Sequence, residues 1–339
     1  MLKKVLFLFC LVVLIYLFRP LLDDLRASLE LFRQMRLASL ALVLLFQIAG
    51  YACLTWLNLL CLAPFPGRIS FGRMMATMTA LAFIQAALPS AGASGIALRT
   101  RLLGDNGYSV EAATFSFALE TILLACAIAL FSTLAVIYLL QEGQLTFFHL
   151  VILLLGLVLL SAIAFCLWRL MQDTTRTRQW TLRLMISWDR LLQRFHRRGP
   201  SPAEVECRFD QFYHGLHLLR RAPRWPFLAS AVGRMGFDVA SLAACFWAFG
   251  HPIDLGVTLT GYGITLIVSG LGSLPGGLGL ADASMAVIFA RLGAPNAIAL
   301  AATVLYRLLS YWLLRAIGFI SWQSMEQLRE RKQASLSPH

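Results

Sequence analysis

Long apolar runs alternate with short polar connections along most of this chain. A helix rises about 1.5 Å per residue, so about 20 apolar residues span the hydrocarbon core of a bilayer. The runs therefore predict an all-α polytopic membrane protein with about eight long transmembrane helices. They fall at about 5–22, 37–62, 71–88, 111–140, 147–170, 225–249, 255–273 and 296–321.

Two shorter pieces, at about 89–104 and 275–292, interrupt this pattern. Proline and glycine weaken a helix, and a carboxylate at membrane depth is costly unless it is paired or hydrated. Membrane proteins accommodate such residues in broken or re-entrant helices that line a cavity. We therefore predict two short broken helices, which either cross the bilayer or turn back within it, and a substrate site beside them. The residues of these breaks are Pro89, Gly92 and Gly95 in the first piece, and Pro275, Gly276, Gly277, Gly279 and Asp282 in the second.

The composition agrees with a membrane protein and excludes other classes. Of the 339 residues, 59% are hydrophobic and only 14% are charged, and the mean hydropathy is +0.72. The seven cysteines are scattered, which indicates buried apolar residues and not disulfides or metal ligands. His214 and His217 have no third ligand nearby, so we expect no metal and no other cofactor. No nucleic-acid-binding module is visible, and we expect no nucleic-acid partner.

Positive charge is concentrated in the polar segment 171–224, within a chain of net charge +12. The positive-inside rule places this segment in the cytoplasm. We expect the protein itself to lie in a bacterial inner membrane. Residues 180–195 place apolar side chains and arginines at helical spacing. This spacing indicates either an amphipathic helix on the anionic lipids of the inner leaflet or a solvated linker. If both short pieces cross the membrane, both termini are cytoplasmic too. We expect 1–330 to form a single membrane domain.

The two short pieces align with a constant offset of 186 residues. The Leu-Pro pair at Pro89 then matches the pair at Pro275, and Gly107 matches Gly293. Both halves show a helix, a Leu-Pro break, a short helix, a glycine turn and a long helix; chance similarity of apolar sequences is the alternative. An odd number of crossings between the breaks would make the halves an inverted repeat, which is typical of secondary transporters. The halves cover about 37–140 and 225–321.

Several ionisable side chains lie within the apolar runs, where each needs a partner, water or a ligand. Arg234 and Asp238 are four residues apart and share a helical face, so they either pair with each other or serve a site. Asp282 and Arg307 either contact the substrate or form a salt bridge that holds the second break closed. Arg307 and Arg315 are eight residues apart on one face, and a guanidinium suits bidentate contact with a phosphate.

The first half contributes two further candidates. Arg99 follows the first break, where it would meet a lipid headgroup or act only as a topology charge. Glu120 lies in the long run after the break, at a place comparable to Tyr306 and Arg307 in the second half. We therefore expect Glu120 to face a cavity, and we include Tyr306 among the substrate-binding candidates.

The tract 274–312 resembles the C-terminal signature of the lysylphosphatidylglycerol synthetase/flippase membrane region, a family of flippase-like integral membrane proteins. The likeness rests on Pro-Gly-Gly-Leu-Gly at 275–279, on Asp282, on the Gly293 turn and on Leu-Tyr-Arg-Leu-Leu-Ser-Tyr-Trp at 305–312. The tract 88–120 is similar to the family's first signature, and Arg234 with the following Gly-Phe fits a third. The family usually has Glu where this chain has Asp282, and the first break matches more loosely.

The resemblance implies lipid translocation or lipid handling, with two broken helices lining lipid-binding cavities. It does not imply aminoacylation, because this chain shows no counterpart of the soluble aminoacyl-transferase domain. We expect a lipid flippase or transporter, not an enzyme, that moves a phosphate-bearing or anionic lipid. Arg307 and Arg315, with Arg234, would neutralise the headgroup, and Asp282 and Glu120 would balance those arginines or contact a cationic part of the headgroup.

Two other functions stay open at this stage. The protein would act as a membrane enzyme, or a subunit of one, on a lipid-linked substrate. Alternatively, it would anchor a cytosolic lipid-synthesis enzyme through 171–224.

Overall fold

Every element in the described part of the chain is a helix, and this part contains no strand. The structure is a computed structural model that describes residues 30–33, 35, 37–87, 93–141, 223–271 and 280–336. The all-α prediction is confirmed for these residues. The helices are α1 Leu37–Leu62, α2 Phe71–Ala87, α3 Ala93–Gly104, α4 Val110–Gln141, α5 Trp225–Ala248, α6 Leu255–Leu271, α7 Leu280–Arg291, α8 Asn296–Arg307 and α9 Leu314–Leu336.

Each apolar run that falls on described residues is helical, with ends close to those predicted. The runs at 5–22 and 147–170, and the basic segment as far as residue 222, lie outside the described residues. The last predicted run differs in extent, because a π-helical turn, Leu308–Leu313, joins α8 to α9 and the helix continues to Leu336.

Four helical stretches in the described part are long and apolar enough to cross a membrane, which makes this a multi-pass membrane protein. Large apolar side chains, such as Leu45 and Trp56 on α1 and Leu134 on α4, are exposed on their outer faces, as lipid contact requires. The four stretches are Ala38–Leu62, Val110–Gln141, Trp225–Ala248 and Asn296–Arg329.

Helices α1 and α5 form the central pair of the bundle. Gln47 donates a hydrogen bond to the Ser241 hydroxyl at 2.9 Å. Further along α1, Cys53 packs against Gly233, which precedes Ser241 in α5. The two helices therefore run antiparallel. Gly50 lies between these contacts, where the missing side chain lets the helix backbones approach closely.

Helix α9 packs antiparallel against α2. The Thr79 hydroxyl donates to the Ser321 hydroxyl at 3.3 Å, and the rings of Phe83 and Phe319 lie 5.2 Å apart between centroids. Gly318 marks the closest approach, because a Cβ atom there would lie 2.2 Å from the carbonyl oxygen of Thr79. Only glycine allows this spacing.

Helix α6 packs against α4 in a comparable way. Gly256 faces the ring of Tyr138, and a Cβ atom on this glycine would lie 2.2 Å from that ring. One turn later, the Thr260 hydroxyl donates to the carbonyl oxygen of Ala135 at 3.4 Å. The residue numbers of these contacts increase along α6 as they decrease along α4, so the two helices are antiparallel.

Glycine turns end both short helices. Gly107 after α3 has a φ of 82°, and Gly293 after α7 has a φ of 98°. This left-handed conformation favours glycine, because any side chain would crowd the backbone. In both turns the amide that follows the glycine donates to the carbonyl five residues back in the helix, at 3.2 Å after α3 and 3.0 Å after α7. These bonds satisfy carbonyls in the last turn of each helix, and after α3 the side-chain amide of Asn106 also donates to the carbonyl oxygen of Leu102 at 2.9 Å.

Two apolar clusters hold the described helices together. The larger cluster joins the central pair to α4, α6, α7 and α8, and at its centre the rings of Phe246 and Phe289 lie 4.8 Å apart. The smaller cluster joins the end of α1 to α2, α3 and the start of α4, and Trp322 of α9 packs on it. Helix α9 is thus tied to the first half of the chain.

Replacing Gly318 with Ala is expected to destabilise the protein, since overpacked core positions typically cost about 1–3 kcal/mol. The added Cβ would force α2 and α9 apart. We expect a melting temperature several degrees below that of the wild type, measured by fluorescence-detected size exclusion of heated protein in detergent. Gly72→Ala is the matched control, because a Cβ at Gly72 of α2 meets nothing within 4 Å. Equal melting temperatures for the two variants would contradict the close approach at Gly318.

Candidate functional site

A cavity of about 440 Å³ lies between α1, α2, α3 and α4 and reaches α9. Tyr51, which lines it, is near the middle of α1, and Glu120 lies ten residues into α4, about 15 Å along that helix. The cavity therefore lies beside the inner parts of two helices that are long enough to span a membrane. Its polar lining consists of Tyr51, Gln85, Arg99, Glu120 and Arg315.

Arg99 is held on three sides within this cavity. Its side chain is only 3% exposed, and its Nη1 lies 2.7 Å from Oε2 of Glu120. Its Nη2 donates to the side-chain oxygen of Asn58, and its guanidinium stacks over the ring of Phe117 at 5.6 Å. A charge so deeply buried needs a counter-charge, and Glu120 supplies it. Arg99 and Glu120 together are electrically neutral.

Arg315 enters the cavity from α9 without such a counter-charge. Its Nη1 donates to the carbonyl oxygen of Tyr311 at 2.9 Å, and its guanidinium stacks 3.2 Å from the centre of the Tyr311 ring. Within the part of the chain that the structure describes, no carboxylate lies within 4 Å of Arg315, and its Nε has no hydrogen-bond partner. Among the described residues, the charged side chains that line the cavity therefore sum to one positive charge.

The π-helical turn places Tyr311 between two arginines. The guanidinium of Arg307 lies 5.5 Å from the same ring that Arg315 covers. Such turns insert one extra residue per turn and often occur at functional sites. Arg307 itself is half-buried and is not among the residues that line the cavity.

A second polar cluster lies behind the cavity, at the crossing of α1, α5 and α6. Nη1 of Arg234 is 2.5 Å from Oδ1 of Asp238, and the guanidinium stacks over Tyr51 at 5.0 Å. The other carboxylate oxygen of Asp238 accepts a hydrogen bond from Tyr262 at 3.0 Å, and Gln47 donates to Oδ1 at 3.3 Å. Every charge in this cluster is compensated, and Tyr51 separates it from the cavity.

The structure brings some of the predicted site residues together and separates others. Arg99, Glu120 and Arg315 line the cavity. Arg234 and Asp238 pair on the central helices, Tyr306 is buried in α8, and Gly95 lies in α3. The side chain of Asp282, which is in α7, lies outside the description, as do Pro89, Gly92, Pro275, Gly276, Gly277 and Gly279.

The sequence-based prediction missed several polar residues of these two clusters. Asn58 and Gln47 stand inside the apolar run 37–62, where an amide side chain is costly unless it finds a partner. This cost could have identified both residues as candidates from the sequence. Tyr51, Tyr262 and Phe117 carried no such signal, since aromatic residues are common in membrane helices.

Breaking the Arg234–Asp238 pair is expected to destabilise the protein strongly. Asp238→Asn leaves a buried guanidinium uncompensated, which costs about 3–5 kcal/mol. Adding Arg234→Met removes that charge and should restore most of the loss, as a double-mutant cycle of melting in detergent would show. Glu326→Gln is the matched control, because its partner Arg101 is 47% exposed and an exposed pair contributes about 0–1 kcal/mol. Equal losses in Asp238→Asn and Glu326→Gln would contradict a stabilising role of the buried pair.

Comparison with known proteins identifies the family. Residues 1–318 match the family described as Lysylphosphatidylglycerol synthase TM region. The chain is similar to a UPF0104 membrane protein of Methanocaldococcus jannaschii, at 27% identity over 126 residues, which are 36% of this chain and 38% of that protein. It is also similar to a UPF0104 membrane protein of Methanothermobacter thermautotrophicus, at 33% identity over 81 residues, 24% of each chain. The chain thus spans well under half the length of these curated relatives. The family match covers nearly the whole chain and confirms the resemblance seen in the motifs: this protein belongs to the lysylphosphatidylglycerol synthase TM region family.

Proposed function

We propose that this protein binds the headgroup of a phosphate-bearing or anionic lipid in the cavity and moves it across the membrane, as a flippase-like transporter. The observation that carries the proposal is Arg315. It is a cation at membrane depth, in an open cavity, with no carboxylate partner among the described residues. A charge in that position is costly unless a ligand or water compensates it.

The chemistry of Arg315 favours a phosphate. A guanidinium offers several donors in one plane and binds phosphate oxygens through two parallel hydrogen bonds. Stacking on Tyr311 fixes the plane of the guanidinium. In surroundings of low dielectric constant, such a charged contact is much stronger than in water.

The size of the cavity suits a headgroup better than a complete lipid. Ligand cavities of about 300–1,000 Å³ hold small molecules, and the volume of about 440 Å³ found here lies in the lower part of that range. We propose that the acyl chains stay in the bilayer while the headgroup occupies the cavity. The apolar part of the lining, which includes Leu54 and Leu81, would contact the glycerol and the first methylenes.

We further propose that the chain consists of two halves in an inverted repeat, with about eight long helices in total. An offset of 186 residues relates the starts of α4 and α8, Val110 and Asn296, and the two glycine turns. The same offset superposes α1 on α5, which run antiparallel, as an inverted repeat requires. The contacts between helices are equivalent in the two halves: α2 of the first half packs on α9 of the second, and α6 of the second half packs on α4 of the first.

In this proposal the central pair is the pivot and the remaining helices rearrange around it. The fully compensated cluster of Arg234 and Asp238 would hold α1 and α5 together in every state. The cavity then opens alternately to the two leaflets, and the broken segments after Pro89 and Pro275 would line its two entrances. Alternating access around a fixed midplane site is the general mode of inverted-repeat transporters.

The setting of the protein is part of the same proposal. We place it in the bacterial inner membrane with both termini in the cytoplasm, on the distribution of its arginines and lysines. The basic segment 171–224 would contact anionic lipids of the inner leaflet and offers a docking site for a lipid-synthesis enzyme. We propose no enzymatic activity for the chain itself.

Replacing Arg315 with Gln is expected to lower the rate of lipid translocation at least about tenfold, because losing a buried charged contact costs about 2 kcal/mol or more. The measurement uses the full chain in proteoliposomes with a fluorescent phosphatidylglycerol. Translocation is followed by the fraction of label that external dithionite reduces.

Arg101→Gln is the matched control for that experiment. It removes the same charge from an exposed position, where Arg101 contacts Glu326 at 2.5 Å. Its rate should equal that of the wild type. Wild-type translocation by a folded Arg315→Gln protein would refute the proposed role of Arg315.

A further inference from the structure

The cavity holds a carboxylate that a simple anion site would not need. Glu120 lies on α4, is 15% exposed at its side chain and lines the same space as Arg315. A negative side chain in a site for a negative headgroup lowers the affinity for that headgroup. Its presence therefore calls for a physical explanation beyond binding strength.

Holding Arg99 in place does not fully explain Glu120. The guanidinium of Arg99 already donates to Asn58 and stacks over Phe117. A neutral amide at position 120 could accept the same hydrogen bond from Nη1, which lies 2.7 Å from the carboxylate. What an amide cannot supply is the negative charge, which compensates the buried Arg99 and also lowers the charge of the cavity by one unit.

Charge balance determines which headgroup such a cavity accepts. In surroundings of low dielectric constant, each uncompensated charge is costly, so a bound headgroup should cancel the charge of the site. Arg99, Glu120 and Arg315 sum to one positive charge. A phosphodiester carries one negative charge, whereas a phosphomonoester carries about 1.5 to 2 at neutral pH.

We infer that Glu120 is a specificity-determining residue, which sets the cavity at one positive charge so that it accepts phosphodiester headgroups and discriminates against phosphomonoester headgroups. This inference rests on the proposed function, because it assumes that the cavity binds a lipid headgroup. Arg315 attracts the phosphate, and Glu120 limits the charge that the phosphate carries.

Glu120→Gln tests this inference directly, since it raises the charge of the cavity by one unit with almost no change in shape. The probes are dioctanoyl phosphatidylglycerol, a diester, and dioctanoyl phosphatidic acid, a monoester. Binding to the full chain in detergent is measured by native mass spectrometry at about pH 8.5, above the second phosphate pKa of about 6. We expect the wild type to prefer the diester, and Glu120→Gln to shift the ratio of dissociation constants at least about tenfold toward the monoester.

Two further variants separate cavity charge from other effects. Arg99→Gln combined with Glu120→Gln keeps one positive charge and should return the ratio to the wild-type value. Glu326→Gln removes a carboxylate from the exposed pair with Arg101 and should leave the ratio unchanged. A shift in Glu326→Gln equal to that in Glu120→Gln would overturn the inference, because the effect would then come from the net charge of the whole protein.

The remaining outcomes distinguish the inference from the proposed function. A wild type that binds neither lipid overturns both. A wild type that binds the diester and a Glu120→Gln variant with the same ratio overturn the inference alone. If Glu120→Gln fails to fold, Asn58→Asp serves in its place, since it adds a negative charge in contact with Arg99, which lines the cavity. It should weaken binding of the monoester more than that of the diester, and an unchanged ratio would overturn the inference.

Discussion

Charge compensation inside an apolar bundle is the constraint on which the described structure depends. The hydrocarbon of a bilayer offers no counter-ions, so each buried arginine must find a carboxylate or a ligand. Arg234 pairs with Asp238, and Arg99 pairs with Glu120. Hydrogen bonds from Gln47 and Tyr262 link the first pair to α1 and α6, and a hydrogen bond to Asn58 links the second pair to α1. The two pairs thereby determine how α1 packs against α3, α4 and α5. Arg315 departs from this pattern, and its departure is the basis of the proposed function.

Close helix approach is the second requirement, because lipid gives no hydrophobic drive for one helix to pack on another. Small residues supply it at three interfaces: Gly50 between α1 and α5, Gly256 between α6 and α4, and Gly318 between α9 and α2. These contacts bring backbones near enough for dispersion and hydroxyl hydrogen bonds to act, as between Thr79 and Ser321. The result is a closely packed frame of helices around an open cavity.

Cavity and frame together suggest how lipid handling would work. The charges at the central pair compensate each other, whereas the described charged side chains that line the cavity sum to one positive charge. An anionic ligand would compensate this surplus charge and would gain binding energy from the contact. Glu120 would then decide how much negative charge that ligand brings, so attraction and selectivity would reside on different helices, α9 and α4.

The sequence by itself determined the helices, because long apolar runs and glycine turns are local signals: the run 37–62 became α1, and Gly107 and Gly293 end short helices. It also indicated the i, i+4 pair of Arg234 and Asp238, and the family. It did not show that the last helix continues to Leu336, since that polar part is held by Trp322 and by the pair of Arg101 and Glu326. Only the tertiary structure decided that Arg315, and not Arg307, faces the cavity with Arg99 and Glu120, because these three come from helices whose packing no local pattern encodes.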